Sequence, residues 1–226
     1  MRYSPLFNTV RVVAAGCLLA IAFACGCEDT EREQQAIREC AADLADGIAN
    51  RNGEKVANRM TNSSIQLYER LLPIARKGTR AQLLSLPVGE RAEAIGMRYG
   101  NSRIKLSKAN GRAWVVEAVN AGEFEVGECS PETLGKVTVE GDFAKARVLY
   151  EGEPAVDLRD EPAYFEFVLE DGVWKLDETH HYQFFGAWYE EMASFSNRDI
   201  NEFLVDEMAD AYDVPSNPAV LDGPVH

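Results

Sequence analysis

Gly-Lys-Val-Thr-Val-Glu-Gly-Asp-Phe-Ala-Lys-Ala-Arg-Val, residues 135–148, decides how this chain folds. Its apolar residues recur every second position, the period of a strand with one buried face. Val137 and Val139 alternate with polar neighbours, Gly141-Asp142 makes a turn, and Ala144, Ala146, Val148 and Tyr150 share one face of the next strand. Residues Pro154 to Asp160 read as a longer connection. Tyr164-Phe-Glu-Phe-Val-Leu169 is a third strand, Asp171-Gly172 a tight hairpin and Val173-Trp-Lys-Leu-Asp177 a fourth strand. Four strands joined by short turns predict an antiparallel meander.

Outward from the sheet the period changes to that of helices. Ile37, Cys40, Ala41, Leu44 and Ile48 recur at three and four, and Asn52-Gly53 stops that helix. A short helix carries Val56, Ala57 and Met60. Thr61-Asn-Ser-Ser64 offers caps for another, with Ile65, Tyr68, Leu71 and Leu72 inward. Thr79 caps a turn through Leu83 and Leu84, and Pro87 opens a helix with Ala92, Ile95 and Tyr99 inward. Ile104-Lys-Leu106 has the look of a strand, and residues 112–121 of a helix. After the sheet, Phe184, Phe185, Trp188, Met192 and Phe195 have helical spacing, which points to core. A last helix follows Asp199, with Phe203, Leu204, Met208 and Tyr212. The expected fold is α+β: N-terminal helices packed on a four-stranded antiparallel sheet, closed by C-terminal helices.

Residues 135–148 with Phe-Glu-Phe-Val-Leu-Glu-Asp-Gly-Val-Trp-Lys-Leu-Asp (165–177) resemble the closing strands of nuclear-transport-factor-2-like proteins. The resemblance covers roughly residues 36–180 and implies a cone-shaped α+β domain. The helices between 61 and 121 form a longer run than the family places before its sheet. Some family members line an internal pocket with polar groups of the sheet. Here that implies a candidate pocket of Arg147, Tyr164, Glu166 and Asp177, whose alternative is a solvated sheet face paired across strands.

The N-terminus carries an address. Arg2 and Arg11 precede an apolar run from Val12 to Ala24 that is too short for a membrane span and matches an export signal. Its small-small-Cys ending resembles the lipobox of bacterial lipoproteins, in which the cysteine takes acyl chains such as palmitate. Cys17 leaves too little apolar chain before it. Cys27 is the preferred lipid acceptor, because it leaves an even number of thiols and avoids Phe23 beside the cleavage site; Cys25 is the alternative. Ordinary signal cleavage or an uncleaved anchor also fits the leader. The expected organisation is a signal peptide at 1–26, a charged linker at 27–35, one α+β domain at 36–212 and a flexible tail at 213–226. Of the remaining thiols, Cys40 falls on an apolar helical stripe and Cys129 in a loop. A disulfide between them suits an oxidising compartment, and a buried reduced pair is the alternative.

The formal net charge is −14, and losing residues 1–26 removes two arginines and no acid, moving it to −16. Such a surface repels phosphate backbones, so nucleic acid is not an expected partner. The sequence lacks a phosphate-cradling Gly-Lys-Ser/Thr loop, a dinucleotide glycine fingerprint, His-Glu-x-x-His and Gly-x-Ser-x-Gly, so neither a cofactor nor a metal is expected. Asp177-Glu178-Thr179-His180-His181-Tyr182 gathers carboxylates and imidazoles, but adjacent histidines diverge on either a strand or a helix. No catalytic residue is assigned. The expectation is a lipid-anchored protein of the bacterial cell envelope, outside the cytoplasm, that binds a small molecule or an envelope protein without turning it over. The alternative is a hydrolase, dehydratase or isomerase working in a cone-shaped pocket with a Glu/Asp–Tyr or His dyad.

Overall fold

A computed structural model describes residues 30–100, 110–124, 129–156 and 162–224. The leader, Cys25, Cys27 and the segment Ile104–Leu106 lie outside the described residues. The elements are α1 (residues 30–49), α2 (Gly53–Asn58), α3 (Asn62–Lys77), α4 (Arg80–Leu84), α5 (Val88–Tyr99), α6 (Gly111–Ala121), β1 (Leu134–Glu140), β2 (Phe143–Tyr150), β3 (Glu153–Pro154), β4 (Tyr164–Glu170), β5 (Val173–Asp177), α7 (Thr179–Phe195) and α8 (Ile200–Ala211). A 3₁₀ turn, Pro218–Leu221, follows. The architecture is α+β, with helices and an antiparallel sheet.

The sheet runs β1-β2-β4-β5, with β3 paired to β2, so it has five strands where four were expected. The extra strand arises because Glu151 and Gly152 both take positive φ, 51° and 85°, and fold the chain straight back at the end of β2. That geometry matches the right-handed twist of the flanking strands. Asp171-Gly172 does the same between β4 and β5, with φ of 53° and 75°. Ala144 pairs with Phe167, Ala146 with Phe165 and Leu169 with Trp174. Ala144, Ala146, Phe165, Phe167, Trp174 and Leu176 are all buried, so the inner face is the one expected from the alternation.

The caps lie close to where the polar residues promised them. Thr61 accepts from the Ser64 amide, and Thr79 forms a full capping box with Gln82. Pro87 occupies the cap position of α5 rather than its first turn. The charged segment 27–35 is not all linker, since α1 already begins at residue 30. Glu, Arg and Gln are good helix formers, and Gln34 gains a bond from its side chain to the Val137 carbonyl at 3.1 Å. Arg38 adds bonds to the Leu134 and Gly135 carbonyls at 3.1 and 3.0 Å, tying α1 to β1. On the other edge, Met60 bridges to Leu176, closing β5 against further pairing.

The closing segment is also not a free tail. Val220 and Leu221 are buried, and the wholly buried Arg98 holds them in place. Its guanidinium donates to the Val220 carbonyl at 2.7 Å and to those of Ala75, Ile74 and Gly78 at 3.1, 2.9 and 2.6 Å. A cation over the last carbonyls of α3 is favoured by the helix dipole. The aromatic residues of α7 are core only in part: Tyr182 and Tyr189 pack against it half-buried. Only Gly186 and Ala193 of that helix are buried, and Phe195 is 79% exposed. α7 meets its neighbours through small residues, so its large rings are left at the margins of the contact.

Candidate functional site

Helices α5 and α7 approach each other so closely that only glycine fits at the contact. A Cβ on Gly89 would stand 1.9 Å from the Tyr182 carbonyl oxygen, and one on Gly186 would stand 2.9 Å from the Gly89 nitrogen. One helical turn beyond Gly89 lies Glu93, and one turn before Gly186 lies Tyr182. The crossing therefore sets this carboxyl and this phenol side by side. They face a cavity of about 410 Å³, to which Glu123, Glu178, His181 and Phe185 also contribute. Tyr189 of α7 and Met208 and Tyr212 of α8 complete its far wall.

Glu178 sits between the end of β5 and the start of α7 and is only 3% exposed. Two residues one turn apart on α3 hold it. Ser64 Oγ accepts from the Glu178 amide at 2.8 Å, and the Tyr68 hydroxyl donates to Glu178 Oε2 at 2.7 Å. The Tyr68 ring is fixed by stacking on Trp114 at 4.8 Å and by tilted contact with Phe124 at 5.8 Å. The same hydroxyl lies 2.7 Å from that of Tyr182, and Tyr182 shares the cavity wall with Glu93. Glu178, Tyr68 and Tyr182 are thus joined in one line, with Glu93 beside its cavity end.

Burial dominates their acid–base properties. It pushes Glu178 up to about 8, helped by the charges of Glu93 and Asp177 and opposed by the Tyr68 hydrogen bond. It lifts the half-buried Glu93 to about 7, against the hydrogen bond from Tyr182. Burial also lowers His181 to about 4, so its imidazole is neutral at pH 7. Tyr68 and Tyr182 are raised well above the usual phenol range and stay protonated. A carboxyl poised near neutrality at a cavity wall can give or take a proton, accept a hydrogen bond as the anion, or donate one as the acid.

Arg147, Tyr164, Glu166 and Asp177 lie elsewhere, on the opposite face of the sheet. Arg147 and Tyr164 are cross-strand partners, with the guanidinium 5.4 Å from the ring centroid. Glu166 pairs with Asp177 across β4 and β5 and takes a 2.9 Å ion pair from Lys145. Asp177 accepts from Ser63 Oγ at 2.8 Å and from Thr179 Oγ1 at 2.6 Å, which makes it a fastener for the start of α7. Tyr164, Glu166 and Asp177 border a crevice of about 10 Å³, space for roughly one water. His180 is on this side, 4.0 Å from Glu166, while His181 turns to the cavity as well.

Cys40 and Cys129 are both buried and both free, so the disulfide between them is not made in this structure. Cys40 Sγ reaches the Arg59 carbonyl at 3.9 Å. Burial pushes its thiol up to about 12 and raises Cys129 as well. Among the described residues, no group of three or more His, Cys, Asp or Glu side chains is arranged to hold a metal ion.

Glu178, His181 and Tyr182 fall in a stretch that the sequence singles out, and Tyr68 was expected inward. Glu93 carried no such mark. An acid between Ala92 and Ala94 on an otherwise apolar helical face, one turn after a glycine, was the available signal. No protein-family model matches the chain, no curated protein matches it, and no solved structure matches its fold.

Proposed function

We propose that this chain is a lipid-tethered protein of the bacterial cell envelope whose cavity between α5 and α7 binds a small molecule without transforming it. The single observation that carries this reading is the composition of the cavity wall. Glu93, Glu123 and Glu178 line it beside the rings of Tyr182, Phe185, Tyr189 and Tyr212, and no lysine or arginine does so among the described residues. An ionised carboxyl repels an anion, a protonated one donates a hydrogen bond to a neutral ligand, and ring faces attract a cation or stack on an apolar body. The ligand favoured is therefore neutral or cationic and partly aromatic or aliphatic. A volume of about 410 Å³ lies within the range of small-molecule sites.

The tether rests on the leader, Cys27 being the preferred acceptor and Cys25 the alternative. The arrangement of helices against the four long strands is read as a cone of the nuclear-transport-factor-2-like kind. Its support is the anchoring of α1 to β1 through Gln34 and Arg38 and of Met60 to β5.

A second reading, an acid–base enzyme, is favoured by Glu93 lying near neutrality beside Tyr182. One experiment separates the two. The membrane-extracted protein is screened by thermal shift against small amines, neutral aromatics and carboxylic acids, and each compound is then recovered and weighed by mass spectrometry. The expected result is stabilisation by amines or neutral aromatics, lost in Glu93→Gln and kept in Arg147→Ala, with the compound recovered unchanged. Stabilisation by carboxylic acids, or by nothing in the set, would overturn the binding proposal. A hit recovered chemically altered would establish the enzyme instead.

A further inference from the structure

The outward side of α7 carries a row of large apolar side chains that the core does not take in. Phe184, Trp188, Met192 and Phe195 follow one another at intervals of four, four and three, so they share one stripe of the helix, bordered by His181 and Phe185. Gly186 takes the contact with α5 on the other side. Tyr182 and Tyr189 pack against the core, whereas Phe184, Phe185, Trp188, Met192 and Phe195 lie outside it. Their rings meet within the row instead, Phe184 at 5.6 Å and Trp188 at 6.3 Å from Phe185 between centroids. Phe195 at the end stands almost free in solvent. From His181 to Phe195 the row is about 21 Å long, or four helical turns. A contiguous apolar row of this kind marks a contact surface.

Charge decides what fits it. Residues 179–211, which form α7, α8 and the link between them, hold seven aspartates and glutamates against one basic residue, Arg198. That arginine is already ion-paired to Asp206. Six of the chain's fourteen net negative charges therefore fall in this one segment. Glu191 stands at the edge of the row, three residues after Trp188 and four before Phe195. On the α8 side, Glu207 acts on Tyr189, whose ring lies 5.2 Å from that of Trp188. At the other end the row runs through His181 and Phe185 into the cavity wall that holds Glu93, Glu123 and Glu178.

We infer that the outward face of α7 is a docking surface for a cationic amphipathic helix of another protein, with its apolar side chains on Phe184, Trp188, Met192 and Phe195 and its lysines or arginines on the flanking carboxyls. Anchors one turn apart on such a helix match a row with the same spacing. A second copy of this chain would set two acidic segments face to face, and an anionic bilayer meets the same repulsion. The inference goes beyond the small-molecule reading and does not depend on what the cavity holds.

The test places the full chain in zwitterionic lipid nanodiscs, with empty discs as the blank. A fluorescein-labelled helix of about 18 residues, leucine on one face and lysine on the other, is titrated against it and read by anisotropy. Binding is expected, weakened about tenfold or more in Trp188→Ser and in Phe195→Ser. Glu191→Lys should weaken it about threefold or more, and added salt should weaken it steeply. All three positions lie outside the core, so these variants keep the fold. Tyr150→Ser, which removes an exposed ring from β2, should change nothing. No binding of the lysine helix, equal binding of a version with glutamate in place of lysine, or binding that the three α7 variants leave unchanged overturns the inference. So does a bilayer as the occupant, seen as quenching of Trp188 by brominated lipid in the difference between wild type and Trp188→Phe. A second copy as the occupant, seen as a dimer on sedimentation that Trp188→Ser disperses, overturns it too.

Discussion

Gly89 lies directly against the backbone of Tyr182, with no room for a methyl group between them. This contact sets the spacing of α5 and α7, and through it the distance between Glu93 and the Tyr182 hydroxyl. In an exposed helix, Gly→Ala stabilises by about 1 kcal/mol. Here a Cβ 1.9 Å from a carbonyl oxygen has to push the helices apart. We expect Gly89→Ala to destabilise by about 1–3 kcal/mol in urea unfolding and to lower the Glu93 midpoint as water enters. A stabilised variant would show that the crossing is loose.

Stability should fall as pH rises through neutrality. Glu93 and Glu178 bind protons more tightly folded, at about 7 and about 8, than in the unfolded chain near 4.5. The stability their protonation adds is full below pH 4.5 and lost as pH climbs to 8. His181 acts in the opposite sense, because its folded value of about 4 lies below its unfolded 6.5. Its effect is only half spent at pH 6.5, so between pH 6.5 and 8 it offsets part of the carboxyls' loss, and the comparison with Glu178→Gln isolates the carboxyl. Chemical denaturation across that interval should show a loss of about 1 kcal/mol or more per pH unit, flattened in Glu178→Gln.

Arg98 should be among the costliest side chains to remove. Its loss removes a donor from the Ala75 and Gly78 carbonyls at the end of α3 and releases the turn Pro218–Leu221. Arg98→Met is expected to cost about 3 kcal/mol, and Arg98→Lys to recover only part of that, since an ammonium has three donors for four carbonyls. Truncation after Asp213 should cost a similar amount, measured by thermal unfolding. A neutral truncation would return the segment to the status of a tail.

Cys40 and Cys129 should be inert while the protein is folded. Both thiols are buried, and Cys40 is pushed up to about 12. Iodoacetamide should leave both unmodified in buffer and alkylate both in denaturant without reductant. Modification that requires a reductant as well would mean the two sulfurs are bonded in the isolated protein.

Much of the architecture was legible because it is written locally. The alternation at Ala144, Ala146, Phe165 and Phe167 names a buried face without reference to the rest of the chain. Asp171-Gly172 and the caps at Thr61 and Thr79 act within a few residues. Glu151-Gly152 was passed over because a glutamate is an uncommon first residue for a turn with two positive φ values. The closing turn was misread since Pro-Ala-Val-Leu, residues 218–221, is too short to show a period, and its docking depends on a distant arginine.

The site is a different case. By itself the sequence determined the strand pattern, the inner sheet face, the helix caps and the charge that argues against nucleic acid, all from relations spanning a turn or a hairpin. Only tertiary structure decided that Tyr68 and Tyr182, 114 residues apart, would touch, and that Glu93 would line the same cavity. The reason is physical. Periodicity tells which side of a helix is apolar, but where two helices cross, and how closely, depends on shape at particular contacts such as Gly89 and Gly186. Those contacts lie outside any local window.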